Sequence, residues 1–207
     1  MRHITKTEEP QSLTSFRKKG NTSWSDIHQA GNKAVYADCL AQCLKDQNGL
    51  CGYTEIRMDD DNRHIDHYIK RDVDASLTFC WTNMVAAVKA SRYGANWKDD
   101  HITLAGDYDK ANQRYKNAIN PVLDKLKGRF RYSTDGVMEP SDPDDSLASN
   151  TITLFNLNEP SLKERRRQQM DAARYMWLGG MGKAEILRSL SHDGFVSAVE
   201  YELSMLA

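Results

Sequence analysis

The run Asp59-Asp60-Asp61-Asn62 constrains this chain more than any other stretch. Four consecutive turn-formers stop a helix and reverse the chain. Residues 50–57 before the run and 63–68 after it therefore read as two strands. The returning strand is Arg63-His64-Ile65-Asp66-His67-Tyr68, with two imidazoles and a carboxylate inside four residues. Alternation along a strand puts His64 and Asp66 on one face and His67 on the other. A joint site requires the strand to end at Asp66-His67, where the chain can turn both side chains to one place.

The chemistry of that set suits a nuclease with one metal ion. A carboxylate oxygen is a good ligand for a hard divalent cation such as Mg²⁺ or Mn²⁺. A neutral imidazole beside it can take the proton from an attacking water, because its ordinary pKa lies near working pH. The cation can then stabilise charge on a scissile phosphate. Asn83 follows sixteen residues after His67, within Trp81-Thr82-Asn83. The plainer meaning of His-x-x-His, a surface pair on a helix, remains open in a chain with six histidines.

Cys51-Gly52-Tyr53-Thr54-Glu55, His64-Ile65-Asp66-His67 and Trp81-Thr82-Asn83, in this order, resemble the HNH (ββα-metal) endonucleases. In particular they resemble the HNH subunit of Septu-type antiphage systems, also found beside retrons. Members of that family carry Cys-x-Tyr-Cys-Glu, His-Ile-Glu-His and Trp-x-Asn motifs. The first ten residues, and Thr151 to Asn158 with Leu162 and Arg166, are also similar to it, so the likeness spans most of the chain.

The resemblance implies an α+β fold, a mainly helical chain around a ββα-metal core. The expected segments are a lead-in and helix over 1–49, the core over 50–106, and a helical region with a small hairpin over 107–207. The implied activity is metal-dependent cleavage of phosphodiester bonds in DNA, RNA or tRNA for antiviral defence. His64, His67 and Asn83 take catalytic places, with Asn83 holding the loop of the catalytic histidine. Asp66 is a metal ligand, so Asp66→Ala is expected to end cleavage while the fold persists. The last metal ligand belongs on the final core helix; Asn96, Asp99, Asp100 and His101 are candidates, and Asn96 is favoured. Lys70, Arg71 and Lys98 are candidates for the nucleic-acid backbone. The implied partner is an ABC-type, SMC-like ATPase, and through it a retron reverse transcriptase with its nucleic acid. No Walker P-loop pattern occurs in the chain, so ATP dependence would come from a separate subunit.

One departure from the family bears on function. Many HNH proteins clamp the fold with zinc held by two Cys-x-x-Cys pairs. Here the first pair reads Cys51-x-x-Thr54, and residues 89–98 contain no cysteine. A structural zinc normally needs four Cys or His ligands, so none is expected. Packing of Tyr53, Tyr68, Trp81, Tyr93 and Trp97 is expected instead. This loss leaves open a degenerate HNH-fold adaptor that recruits a partner or nucleic acid without cutting.

A net charge of −1 excludes strong overall attraction to nucleic acid, so binding needs a local basic patch or a partner's surface. There is no apolar run long enough for a membrane span and no signal-peptide core. Four irregularly spaced cysteines suit reduced thiols in the cytoplasm. Residues 1–22 read as an extended lead-in with basic Arg17-Lys18-Lys19. Ser23 and Asp26 form a capping box for a helix over 25–46, stopped at Asn48-Gly49, with Cys39 and Cys43 as core thiols. Strand 83–87 and a helix between 88 and 100 complete the core. Helices over 107–120 and 121–128 follow, then a hairpin turning at Asp135-Gly136, a mobile acidic loop over 139–149 and a strand over 151–157. Asn158 caps a long helix with a solvated arginine run, and two helical pieces end the chain, split near Asp193-Gly194.

Overall fold

The computed structural model describes residues 1–20, 23–102 and 107–206. Positions 21 and 22 of the lead-in, the end of the 50–106 segment and Ala207 lie outside them. The first element is a helix, not extended chain: α1 spans Gln11–Lys18. Leu13 and Phe16, three residues apart, bury one face, and Phe16 meets Phe79 edge-on at 5.1 Å. Arg17 and Lys18 lie in the last turn, where cations suit the helix dipole.

The Ser23–Asp26 capping box forms, but it opens a 3₁₀ turn over Trp24–His28. A second such turn covers Ala30–Asn32, and only then does α2 run from Lys33–Asp46. The expected continuous helix breaks at Gln29, which is extended, before the poor helix-former Gly31. Asn48 and Gly49 take left-handed backbone and end α2 where expected. Cys39 and Cys43 are buried on it, and burial pushes the Cys39 thiol up to about 12.

β1, Arg63–His67, pairs antiparallel with β2, Met84–Val88, with His64 opposite Ala87 and His67 opposite Met84. Residues 50–57 do not form a strand. The chain folds into a tight turn closed by a single bridge between Leu50 and Arg57. The turn docks on β2 instead: the Gly52 N–H lies 3.0 Å from the Ala86 carbonyl. The Gln47 amide binds Ala86 through both its backbone groups. α3, Gly94–Ile102, packs on β2 and completes a strand–strand–helix unit.

α4 covers Tyr108–Lys116. The cap at Asn120 forms, but no helix over 121–128 follows; the Asp124 carboxylate turns back to the Asn120 N–H. β3, Phe130–Tyr132, and β4, Met138–Pro140, form the expected hairpin, with Arg131 opposite Glu139. The acidic segment after it is structured: Asp145 pairs with Arg129 and caps α5, Ser146–Leu154. α5 replaces the expected strand, because the Thr151 hydroxyl bonds the Leu147 carbonyl one turn back and accepts the Ile119 N–H.

α6 spans Pro160–Leu178 and is capped by Glu159, while Asn158 bonds both backbone groups of Met138. Its arginine run is not uniformly solvated. Arg166 is buried and binds the carbonyls of Gly136 and Leu157. α7, Lys183–Leu190, and α8, Val196–Met205, close the chain. At the break between them Gly194 has φ +95°, and a Cβ there would sit 2.3 Å from the Glu55 carbonyl oxygen. Gly194→Ala should therefore destabilise the chain by about 2 kcal/mol or more, read as a lower denaturant midpoint. Among the described residues no helix is long and apolar enough to cross a membrane.

Candidate active site

β1 delivers His67 as its last residue, 6% exposed, with Nε2 at 2.8 Å from the Thr78 carbonyl. A carbonyl oxygen only accepts, so Nε2 carries the proton and Nδ1 keeps its lone pair. Thr78 follows a 3₁₀ turn, Ala75–Leu77, that Asp74 caps through the Ser76 N–H. Asn83 ties this loop to the strand exit. Its Oδ1 accepts the Ile69 N–H at 2.8 Å, and its Nδ2 donates to the carbonyls of Ile69 at 3.1 Å and Leu77 at 3.2 Å. The chain on both sides of the imidazole is thus held by one amide. Trp24 packs edge-on against the ring at 4.7 Å and stacks on Phe79.

Burial is the main cause that lowers the His67 pKa to about 4; the Thr78 hydrogen bond opposes it, and Arg71 and Lys98 add to it. The ring is neutral at neutral pH. Unfolding restores the ordinary value near 6.5, so the unfolded chain takes the proton first as pH falls. The stability contributed is fully present above about 6.5 and disappears by about pH 4, a loss of about 3 kcal/mol. Urea melts across this range should show that slope, and His67→Gln should flatten it.

Asp66, 4% exposed, has both oxygens engaged. The Tyr53 hydroxyl donates to Oδ2 at 2.5 Å, and the Lys98 ammonium lies 3.1 Å from Oδ2 and 3.3 Å from Oδ1. Lys98 is fully buried, and its Nζ also reaches Asp99 at 2.8 Å and the carbonyls of His67 at 2.7 Å and Tyr68 at 3.2 Å. Burial alone would lower the Lys98 pKa; the Coulombic effects of Asp66, Tyr115 and Asp99 outweigh it and hold the ammonium charged. His64 is half-buried, and its buried Nδ1 has no hydrogen-bond partner. Burial pulls its pKa down, against the attraction of Asp66.

His64 and Asp66 thus share one face of β1, while His67, still paired opposite Met84, points to the other face, toward the loop that Asn83 holds. The strand does not end early enough to turn Asp66 and His67 to one place. Arg71 is exposed just beyond, its guanidinium 5.4 Å over the Trp24 ring. Lys70 is half-buried, with Nζ 3.4 Å from the Asp99 carbonyl and 3.8 Å from the Asp72 carboxylate. Two expected site residues sit elsewhere. Lys98 points into the protein, not toward a phosphate backbone, because Ala95, Lys98 and Ile102 form the inner stripe of α3. Asn96 is exposed, about 200° around the same helix from Lys98, so it does not meet Asp66. Asp100 is exposed too, and exposed His101 stacks on Trp97 at 3.8 Å. Thr78 and Trp24 were not singled out from sequence for this site. The Ala95/Lys98/Ile102 spacing was the available sign that Lys98 faces inward.

The fit to a divalent cation fails in this arrangement. Among the described residues no group of three His, Cys, Asp or Glu side chains is placed to hold a metal ion together. Asp66 is already committed to an ammonium and a phenol.

A strand–strand–helix unit presenting a neutral histidine, a carboxylate and an anchoring asparagine is compatible with a nuclease of the HNH class. No family model matches the chain. It is similar to an Escherichia coli protein named "Retron Ec83 putative HNH endonuclease", 25% identical over 81% of this chain and 78% of that protein. This similarity supports an HNH-type nuclease at the family level, in a retron context.

Proposed function

We propose that the chain is an endonuclease of the HNH class that hydrolyses phosphodiester bonds of DNA or RNA in antiviral defence. The observation that carries this reading is the prepared state of His67: neutral, protonated at Nε2 on the Thr78 carbonyl, and fixed by Asn83. Nδ1 takes the proton of an attacking water, and the leaving oxygen collects its proton from solvent. A phosphodiester anion beside the ring raises the imidazole's basicity above that of the empty site. Arg71 and Lys70 hold the phosphate, and Asn83 keeps the base in place. HNH endonucleases generally use a divalent cation, Mg²⁺ or Mn²⁺, to stabilise charge on the phosphate. The side chains of this protein as placed do not form its site. An ABC/SMC-like ATPase, with a retron reverse transcriptase behind it, is the proposed partner; the near-zero net charge suits a subunit whose access to nucleic acid is governed by others.

The Lys98–Asp66 pair favours a second reading, an HNH-fold adaptor that docks on the ATPase and does not cut. The two separate in one experiment. The purified chain, alone and co-expressed with the ATPase, is incubated with viral DNA and with cellular RNA, with Mg²⁺ and with chelator. The nuclease reading expects fragments of one nucleic acid. Intact substrates from a chain that still co-purifies with the ATPase would support the adaptor.

A further inference from the structure

We propose that Lys98 is the resident cation of the Asp66 carboxylate and closes that position to divalent metal ions. Five oxygens surround the ammonium. They are Asp66 Oδ1 at 3.3 Å and Oδ2 at 3.1 Å, Asp99 Oδ1 at 2.8 Å, and the carbonyls of His67 at 2.7 Å and Tyr68 at 3.2 Å. Carboxylate and carbonyl oxygens in such number are what a hard cation takes from a protein. Here they enclose a nitrogen with three protons to donate and no acceptor of its own, so every N–H has a partner.

The cation is tethered. Lys98 lies on the inner stripe of α3 and is 0% exposed, so its stem runs through the interface between that helix and the strands. A metal ion arriving from solvent would have to displace a charged group that is fully buried and already paired with Asp66 and Asp99. Tyr53 closes the carboxylate further: its hydroxyl donates to Oδ2, and its ring, also fully buried, stacks on Phe155 at 4.3 Å. The other polar group expected to ligate, Asn96, is on the opposite side of α3. The same ammonium holds the His67 carbonyl, so the positive charge that a metal would bring beside the histidine is built into the chain. The inference stands whether or not the protein cuts nucleic acid, because it is read by cation binding and not by cleavage.

Mn²⁺ binding followed by electron paramagnetic resonance tests it, on the full chain and on Lys98→Ala, Lys98→Met, Asp66→Asn and the double variant Lys98→Ala/Asp66→Asn. Wild type is expected to show no saturable Asp66-dependent site tighter than about 1 mM. Lys98→Ala is expected to gain one Mn²⁺ site, at least about tenfold tighter, which the added Asp66→Asn removes. Lys98→Met keeps the length of the stem and serves if the alanine variant does not fold. A wild-type Mn²⁺ site, or a Mn²⁺-dependent rise in melting temperature, that Asp66→Asn abolishes overturns the proposal. So does a folded Lys98 variant that gains no site.

Discussion

Asp66→Ala should unfold the protein more readily by about 3–5 kcal/mol, because it strands a buried charge. The Lys98 ammonium would keep only Asp99 and two backbone carbonyls, in a place that excludes water. The Tyr53 hydroxyl, which donates to Asp66, would lose its acceptor inside the core, a further penalty of about 1–3 kcal/mol. The motif alone implied the opposite, a metal ligand whose loss leaves the fold standing. The distinction matters for interpretation: loss of cleavage in Asp66→Ala would report unfolding as readily as loss of chemistry. Replacing both partners with apolar residues, Asp66→Leu with Lys98→Met, should recover most of the loss, since a buried ion pair is often no more stable than a well-packed apolar pair. Urea denaturation of the two single variants and the double variant reads this directly. Equal stability of Asp66→Ala and wild type would show that the pair contributes nothing.

His67→Gln should lower cleavage by about 10²-fold or more while the protein stays folded. Glutamine can still donate to the Thr78 carbonyl, so the loop tied by Asn83 keeps its anchor. It cannot take a proton from water at neutral pH. His67→Ala should lose as much activity but also leave that carbonyl unpaired under Trp24, so the glutamine variant isolates the chemistry. Cutting at the wild-type rate by folded His67→Gln would remove His67 as the base.

Much of the backbone was legible from local signals. The acidic turn, β1, β2, the Asp135-Gly136 hairpin and the three C-terminal helices all follow from turn chemistry and periodicity. α5 was not legible, because Thr151-Ile152-Thr153 alternates like a strand; only the tertiary bonds of the Thr151 hydroxyl make a buried helix acceptable there. α1 was not legible because its octapeptide is mostly polar and short, and the Phe79 ring that packs on its Phe16 lies far along the chain. Within the site, the placing of His64, Asp66 and His67 on β1 could be read from the turn before them, but that His67 stays in the ladder and faces away from Asp66 could not. What occupies Asp66 could not. A lysine on a mixed-polarity helix reads as exposed, and its burial depends on two carboxylates and two carbonyls that meet only in the folded chain.

The central claim is that the fold prepares His67 as a neutral base with its Nδ1 lone pair open. Nitrogen-15 NMR of the histidine rings tests it most directly, with His67→Gln identifying the resonance. At pH 7 the His67 signals should be those of the neutral Nε2–H tautomer and should not titrate until well below pH 6. A protonated ring at pH 7, or a neutral ring with its proton on Nδ1, would contradict the claim.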